Sequence, residues 1–207
     1  MLTRLTARMS RILLTGFTAF GSVAVNPSQL IVEQLAGSIP DLITAVLPVE
    51  YAGVKPVLHD LLNLHQPDIY IALGVASGRK KISLERLALN LDDASLPDNA
   101  GVMLHGQMID AEGPAAYWST LPLDTLHAAL NAENIPVHYS NHAGNFLCNH
   151  VFYLARHAAE TWARPISCGF VHIPAIDETS EHGLPFETLL RAVQIIVNAA
   201  AAIHPSA

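Results

Sequence analysis

The stretch that decides the fold is Ser140 to Tyr153, SNHAGNFLCNHVFY. Pro136 to Ser140 reads as a short β-strand, Ala143 and Gly144 supply a turn, and from Phe146 onward the apolar spacing is helical through Phe152, Leu154 and Ala155. This order places Cys148 in the first helical turn. Unpaired backbone N–H groups and the positive end of the helix dipole favour a thiolate there, which predicts a cysteine pKa drawn from about 8.5 toward neutrality. The same N–H groups suit a developing oxyanion. The competing description is a buried structural cysteine, the commoner condition of a free thiol.

Outward from this stretch, β-like and helical runs alternate as in a layered α/β domain. Ile12 to Leu14 predicts a first strand, and Asn26-Pro27 a cap and start for a helix carrying Leu30, Ile31 and Leu35. Strands follow at Leu42 to Val49 and at Asp68 to Leu73, the second a continuous apolar run suited to the centre of a sheet. Val54 to His65 is helical, and the alternation of Ile82 to Leu91 predicts an added strand or hairpin. Asp92 to Gly113 is loop-rich. Helices are predicted at Leu123 to Asn134, Gly144 to Glu160 and Pro185 to Ile203, and strands at Val137 to Ser140 and Ile166 to His172. The expected fold is a single-domain, three-layer α/β/α sandwich with a mainly parallel central sheet.

Composition bounds the partners. With 207 residues, 51% hydrophobic and only 14% charged, the chain supports one large core and an apolar surface that points to some cover by subunit contacts. A net charge of −7, with no basic run beyond Arg79 to Lys81, argues against nucleic-acid or anionic-membrane partners. No uninterrupted apolar stretch reaches the roughly 18 residues of a span, since Arg191, Gln194 and Asn198 break the last helix. The N-terminal arginines lead directly into the first strand, so residues 1–8 read as a disordered extension, with Met9 an alternative start and the domain running over 9–207. Two cysteines, Cys148 and Cys168, suit reduced thiols in the cytoplasm.

Ligands of such sheets bind at the carboxyl ends of strands. Gly16 to Gly21 follows the first strand and Gly74 to Gly78 the central one. Cys148 follows the strand ending near Ser140, and His172 closes the strand beginning at Ile166. His172, in GFVHIP, is suited to take a thiol proton and return it to a leaving amine. Glu85, in ISLERLALN, is a carboxylate able to orient the imidazole. Each also has a plain structural description: a hydrogen-bonded core histidine, and a surface glutamate paired with Arg86. GFTAFG lacks dinucleotide-loop spacing, which weakens a nucleotide-binding oxidoreductase. His150 and His157 are seven apart, which does not suit a helical metal-ligand pair.

Taken together, LLTGFTAFG with VNPS, ISLERLALN, PDNAG, GPAAYW, SNHAGNFLCNHVFY and GFVHIP resemble, in order, the motifs of the pyroglutamyl peptidase I family. The resemblance implies a cytosolic cysteine exopeptidase, often a homodimer or homotetramer, that releases N-terminal pyroglutamate (5-oxoproline) without metal or cofactor. Cys148 would be the nucleophile, His172 the general base and acid, and Glu85 the orienting carboxylate. It further implies that Phe17 and Phe20 flank the lactam ring, that Asn26 steadies their loop, and that backbone at Gly74 and Val75 contacts the lactam. Val75, Ser77, His142 and Ser95 depart from residues common in the family, respectively glutamine, a glycine-like residue, a small polar residue and arginine. A binding homologue with impaired catalysis is the alternative those departures raise.

Overall fold

The computed structural model describes residues 10–21, 25–162, 165–177 and 181–203. The expected extension over residues 1–8 and the start at Met9 lie outside the described residues. In chain order the elements are β1 (Ile12–Phe17), α1 (Pro27–Leu35), β2 (Leu42–Leu47), α2 (Tyr51–His65), β3 (Ile69–Val75), β4 (Ile82–Leu89), β5 (Ala116–Trp118), α3 (Leu123–Ala132), β6 (Val137–His142), α4 (Leu147–Thr161), β7 (Ser167–Ile173) and α5 (Phe186–Ile203).

The strands form one seven-stranded sheet in the order β2-β1-β3-β7-β4-β5, with β6 on β4. Alternation along each central strand sends residues to opposite layers. Ile12, Leu14, Ile69, Ile71, Val171 and Ile173 join the core formed with α1, α3 and α5. Leu13, Tyr70, Ala72, Cys168 and Phe170 join the core under α2 and α4. This is the expected three-layer sandwich.

The strand β4 is the pivot of the sheet rather than an appended hairpin. It runs antiparallel to β7 through Ser83 and Leu84, and parallel to β6 from Ile82 to Leu87. Its far end pairs antiparallel with β5, at Leu87 to Leu89. The short β5 has no apolar run of its own and exists through that pairing, which is why its sequence gave no signal.

Several boundaries move for tertiary reasons. Helix α4 begins at Leu147 rather than Gly144, because Gly144 has φ +83° and Phe146 is extended. Helix α2 begins at Tyr51, three residues before the expected start, where the Asp98 carboxylate accepts the Tyr51 N–H at 2.8 Å. Strand β6 runs on to His142. Helix α5 is 18 residues long with a mean hydropathy of 1.4, so by length and composition it qualifies as a span, contrary to the expectation from its polar interruptions. Its Leu189, Val193, Ile196 and Val197 are nevertheless fully buried in the core shared with α1 and α3. Each such side chain contributes about 1.5–3 kcal/mol.

Candidate active site

Helix α4 starts without the side-chain cap that helix termini favour. Its N-cap is Phe146, which makes no capping bond, and the first intrahelical bond is His150 N–H to Phe146 C=O at 3.1 Å. The amides of the first turn therefore keep their donors facing outward, and Cys148 is the second residue of that turn. What fastens the helix instead is Asn149. Its side chain accepts the Leu89 N–H at 2.8 Å and donates to the Leu89 and Leu91 carbonyls, tying α4 to the end of β4.

Cys148 opens onto a pocket of about 260 Å³ lined also by Phe17, Phe20, Asn26, Val49, Val75, Phe146 and Leu147. The walls are apolar and the space is small. Phe17 is buried against Phe170 with ring centroids 6.5 Å apart, and half-buried Phe20 packs against Phe146 at 6.2 Å. Asn26 lines the same pocket, but its amide is committed. It accepts from Ser28 N–H and Oγ–H at 3.0 and 2.8 Å and donates to the Thr18 carbonyl at 3.1 Å. Asn99 holds the opposite side, donating to Ala19 C=O and, through its backbone, to Val49 C=O. A separate groove of about 550 Å³ between α2 and α4, lined by Lys55, His59, Asp110 and Trp162, shares no residue with this pocket.

At the end of β3, Gly74 pairs with His172 of β7, and a Cβ placed on Gly74 would stand 2.8 Å from the Cys148 sulfur and 2.7 Å from Phe170 Cζ. Only glycine lets the helix bring its thiol this close to the sheet. His172 is 5% exposed, stacks obliquely on Phe170 at 4.8 Å, and places Nδ1 2.8 Å from Glu85 Oε1. A carboxylate only accepts, so the imidazole donates through Nδ1 and Nε2 carries the free lone pair. Glu85 is fully buried. It is not a surface residue paired with Arg86. Arg86 instead donates to Asn141 at 3.3 Å and lies 4.6 Å over the Tyr139 ring. The partner of Glu85 is Arg79, 2.7 Å away on the same oxygen.

The electrostatics correct one expectation. Burial pushes the Cys148 thiol up, to about 12, with the Glu85 charge adding to the rise, while Arg79 and the helix-start amide oppose it. Desolvation outweighs the helix dipole, so the resting thiol is not drawn toward neutrality. Burial likewise lowers the pKa of His172, and the hydrogen bond and charge of Glu85 offset this only in part. For Glu85, bonds from His172, Ser140 and Arg79, with the His172 charge, outweigh a large burial effect and hold the carboxyl below its usual value. Burial thus favours the neutral thiol and the neutral imidazole, while the hydrogen bonds favour the carboxylate of Glu85. Such a set performs nucleophilic attack with proton transfer to the imidazole during the step.

Residues 10–203 match the family pattern described as pyroglutamyl peptidase. The chain belongs to this family. Among relatives, the pyrrolidone-carboxylate peptidase of Vibrio vulnificus is 40% identical over 91% of this chain and 92% of its own. The Pyrococcus furiosus pyrrolidone-carboxylate peptidase is 38% identical over 92% of this chain and 97% of its own. The crystal structure of Bacillus amyloliquefaciens pyroglutamyl peptidase I superposes with a TM-score of 0.89 at 38% identity, covering 93% of this chain and 97% of that one.

Membership of the pyroglutamyl peptidase family gives the motifs physical meaning. PDNAG is a clamp, because Asp98 accepts from Tyr51, Ala100 and Val102 N–H groups and so fixes the loop beside the pocket. In GPAAYW, Gly113 leaves room for the Tyr153 hydroxyl, which donates to Pro114 C=O at 2.8 Å. Of the residues singled out from sequence, Phe17, Phe20, Asn26, Val75 and Cys148 line one pocket, Gly74 backs the sulfur, and His172 and Glu85 form a buried dyad on β7 and β4. Sequence reasoning missed Arg79, read only as the start of a basic run, and Phe146 and Val49 in the pocket wall. A cation six residues before Glu85 was the available signal for Arg79. The departures at Ser95 and His142 are both exposed, and His142 Nδ1 accepts the Gly144 N–H at 3.2 Å.

Proposed function

We propose that Cys148, His172 and Glu85 carry out the activity of this cysteine exopeptidase, hydrolysis of the bond after an N-terminal pyroglutamate to release the free lactam acid. The observation that carries this assignment is the placement of the Cys148 sulfur at the mouth of a small apolar pocket and beside the β3–β7 register position where His172 stands.

The lactam is compact and uncharged, so it suits walls of Phe17, Phe20, Val75 and Phe146 with few polar groups. Backbone at Gly74 and Val75 supplies the polar contacts, and Asn26 acts through the loop it braces. The sulfur attacks the carbonyl that follows the ring while its proton passes to Nε2 of His172. The first-turn amides of α4 hold the oxyanion. Collapse of the tetrahedral intermediate breaks the C–N bond, and the imidazolium protonates the departing amine, leaving a thioester. His172 then deprotonates water, whose attack expels the thiol and frees pyroglutamate. Glu85 orients the imidazole and stabilises its cation throughout.

The reaction requires a reduced thiol, and both cysteines are free, which supports a cytoplasmic setting. The exposed side chains of Leu64 and Trp118, at 76% and 66%, support self-association as a homodimer or homotetramer. The decisive assay compares hydrolysis of pyroglutamyl, prolyl and alanyl fluorogenic amides with and without prior iodoacetamide. Pyroglutamyl-selective turnover abolished by alkylation is expected. Folded, reduced protein that binds pyroglutamate without turnover would instead establish a binding homologue.

A further inference from the structure

Glu85 is shared between two donors at one oxygen. Arg79 Nη1 reaches Oε1 at 2.7 Å, the atom that His172 Nδ1 approaches at 2.8 Å, and the same Nη1 lies 3.4 Å from Ser140 Oγ on β6. Ser140 stands opposite Glu85 in the β4–β6 register. The turn bearing Arg79 is itself fastened to the strand of His172. Arg79 N–H donates to Ala76 C=O at 2.9 Å, and Ala76 N–H donates to Ile173 C=O at 2.9 Å. The guanidinium is thus built into the same frame as the dyad, although about a third of its side chain remains exposed.

We propose that Arg79 is a positioning residue for the hydrolysis, holding the Glu85 carboxylate in line with His172 and placing a fixed positive charge beside the dyad. The inference rests on the proposed roles of Cys148, His172 and Glu85. The charge opposes protonation of His172 and favours ionisation of Cys148. Around His172 stand Glu85 on β4, bonded to Nδ1, Arg79 in the turn after β3, on the same Glu85 oxygen, and Cys148 on α4, whose sulfur lies against Gly74, the register partner of His172. Beyond them His138 on β6, bonded to Ser83 Oγ at 2.7 Å, is itself influenced by Arg79, Lys81 and Glu85. Lys81 is exposed, whereas Arg79 contacts the Glu85 carboxylate directly.

The test replaces Arg79 by Met, with Arg79→Lys as the charge-retaining control and Arg86→Met as a neighbouring cation that does not touch Glu85. Two readouts are taken: the pH titration of the His172 imidazole by NMR and the pH profile of kcat/KM on a pyroglutamyl amide. In Arg79→Met the imidazole titration and the acid limb both move upward, by about one pH unit, because the imidazolium loses a repelling neighbour. Arg79→Lys and Arg86→Met leave both in place. Arg79→Gln, which keeps donors but no charge, carries the test if the methionine variant does not fold, with the same upward shift. A uniform loss of rate with an unmoved titration, or an equal shift in Arg86→Met, overturns the proposal. Because the NMR titration needs no turnover, it decides the role of Arg79 even if the wild-type chain hydrolyses no pyroglutamyl amide, a result that would instead defeat the functional assignment.

Discussion

Glu85 and His172, 87 residues apart in sequence, meet at 2.8 Å across two antiparallel strands, both enclosed by the sheet and the helix above it. A contact of that separation survives only because β4 and β7 are registered Ser83 to His172, which aims both side chains to the α4 side of the sheet. Replacing Glu85 by Gln keeps the shape but removes the charge that stabilises the imidazolium. We expect kcat to fall on the order of 10²–10⁴-fold with the fold retained. Steady-state kinetics with circular dichroism check this, and unchanged kcat removes Glu85 from the mechanism.

The two cysteines predict opposite outcomes. Both thiols are pushed up to about 12 by burial, but Cys168 lies at the centre of β7, fully buried and directed at the Ala155 carbonyl at 3.8 Å. Cys148→Ala abolishes turnover while the melting temperature stays close to wild type. Cys168→Ser leaves the rate within a fewfold, with a stability loss of about 1–3 kcal/mol from the buried hydroxyl. Equal losses of activity at both positions would contradict the assignment of Cys148.

The pH dependence follows from the sign of the His172 shift. Attack requires the neutral imidazole, and burial lowers its pKa below the ordinary 6.5. Activity is therefore retained as pH falls through 6.5 and is lost only below it, on the acid limb of kcat/KM. Stability has the same sign. The unfolded chain takes up a proton at His172 below 6.5 and at Glu85 below 4.5, whereas the native state resists both, so stability falls as the solution is acidified. An acid limb above 6.5 in the wild-type enzyme would show that the imidazole is not held neutral.

Gly74 carries the fourth prediction. An alanine there would put Cβ within 2.8 Å of Cys148 Sγ and 2.7 Å of Phe170 Cζ, distances that require the aromatic ring or the start of α4 to shift. Overpacking of this kind costs about 1–3 kcal/mol. The same displacement moves the nucleophile, so kcat/KM falls by on the order of 10²-fold, more than stability alone accounts for. Thermal melts and kinetics on Gly74→Ala separate the two effects, and a variant of normal activity would mean that the sulfur is not seated against β3 during catalysis.

Much of this was legible in the chain. Asn26-Pro27 announces a capped helix, and the Asn26 side chain does accept the Ser28 N–H. The apolar run ending at Gly74 announces a central strand, and β3 lies between β1 and β7. Cys148 announces itself by following a strand and a glycine turn. Less legible were features that exist only through distant partners. The start of α2 is set by Asp98, β5 by β4, and the ionisation of Cys148 by burial that outweighs its helix-end position.

The sequence by itself determined the order of the strands and helices other than β5, the layered architecture and the residue types able to perform thiol chemistry, because periodicity, caps and turns are local properties of the chain. Only the tertiary structure decided that Glu85 is buried on His172 rather than paired at the surface with Arg86, that Arg79 shares its carboxylate oxygen, and that burial pushes the thiol pKa up rather than down. Strand register and desolvation make those choices, and both depend on what segments far apart in the chain bring against one another.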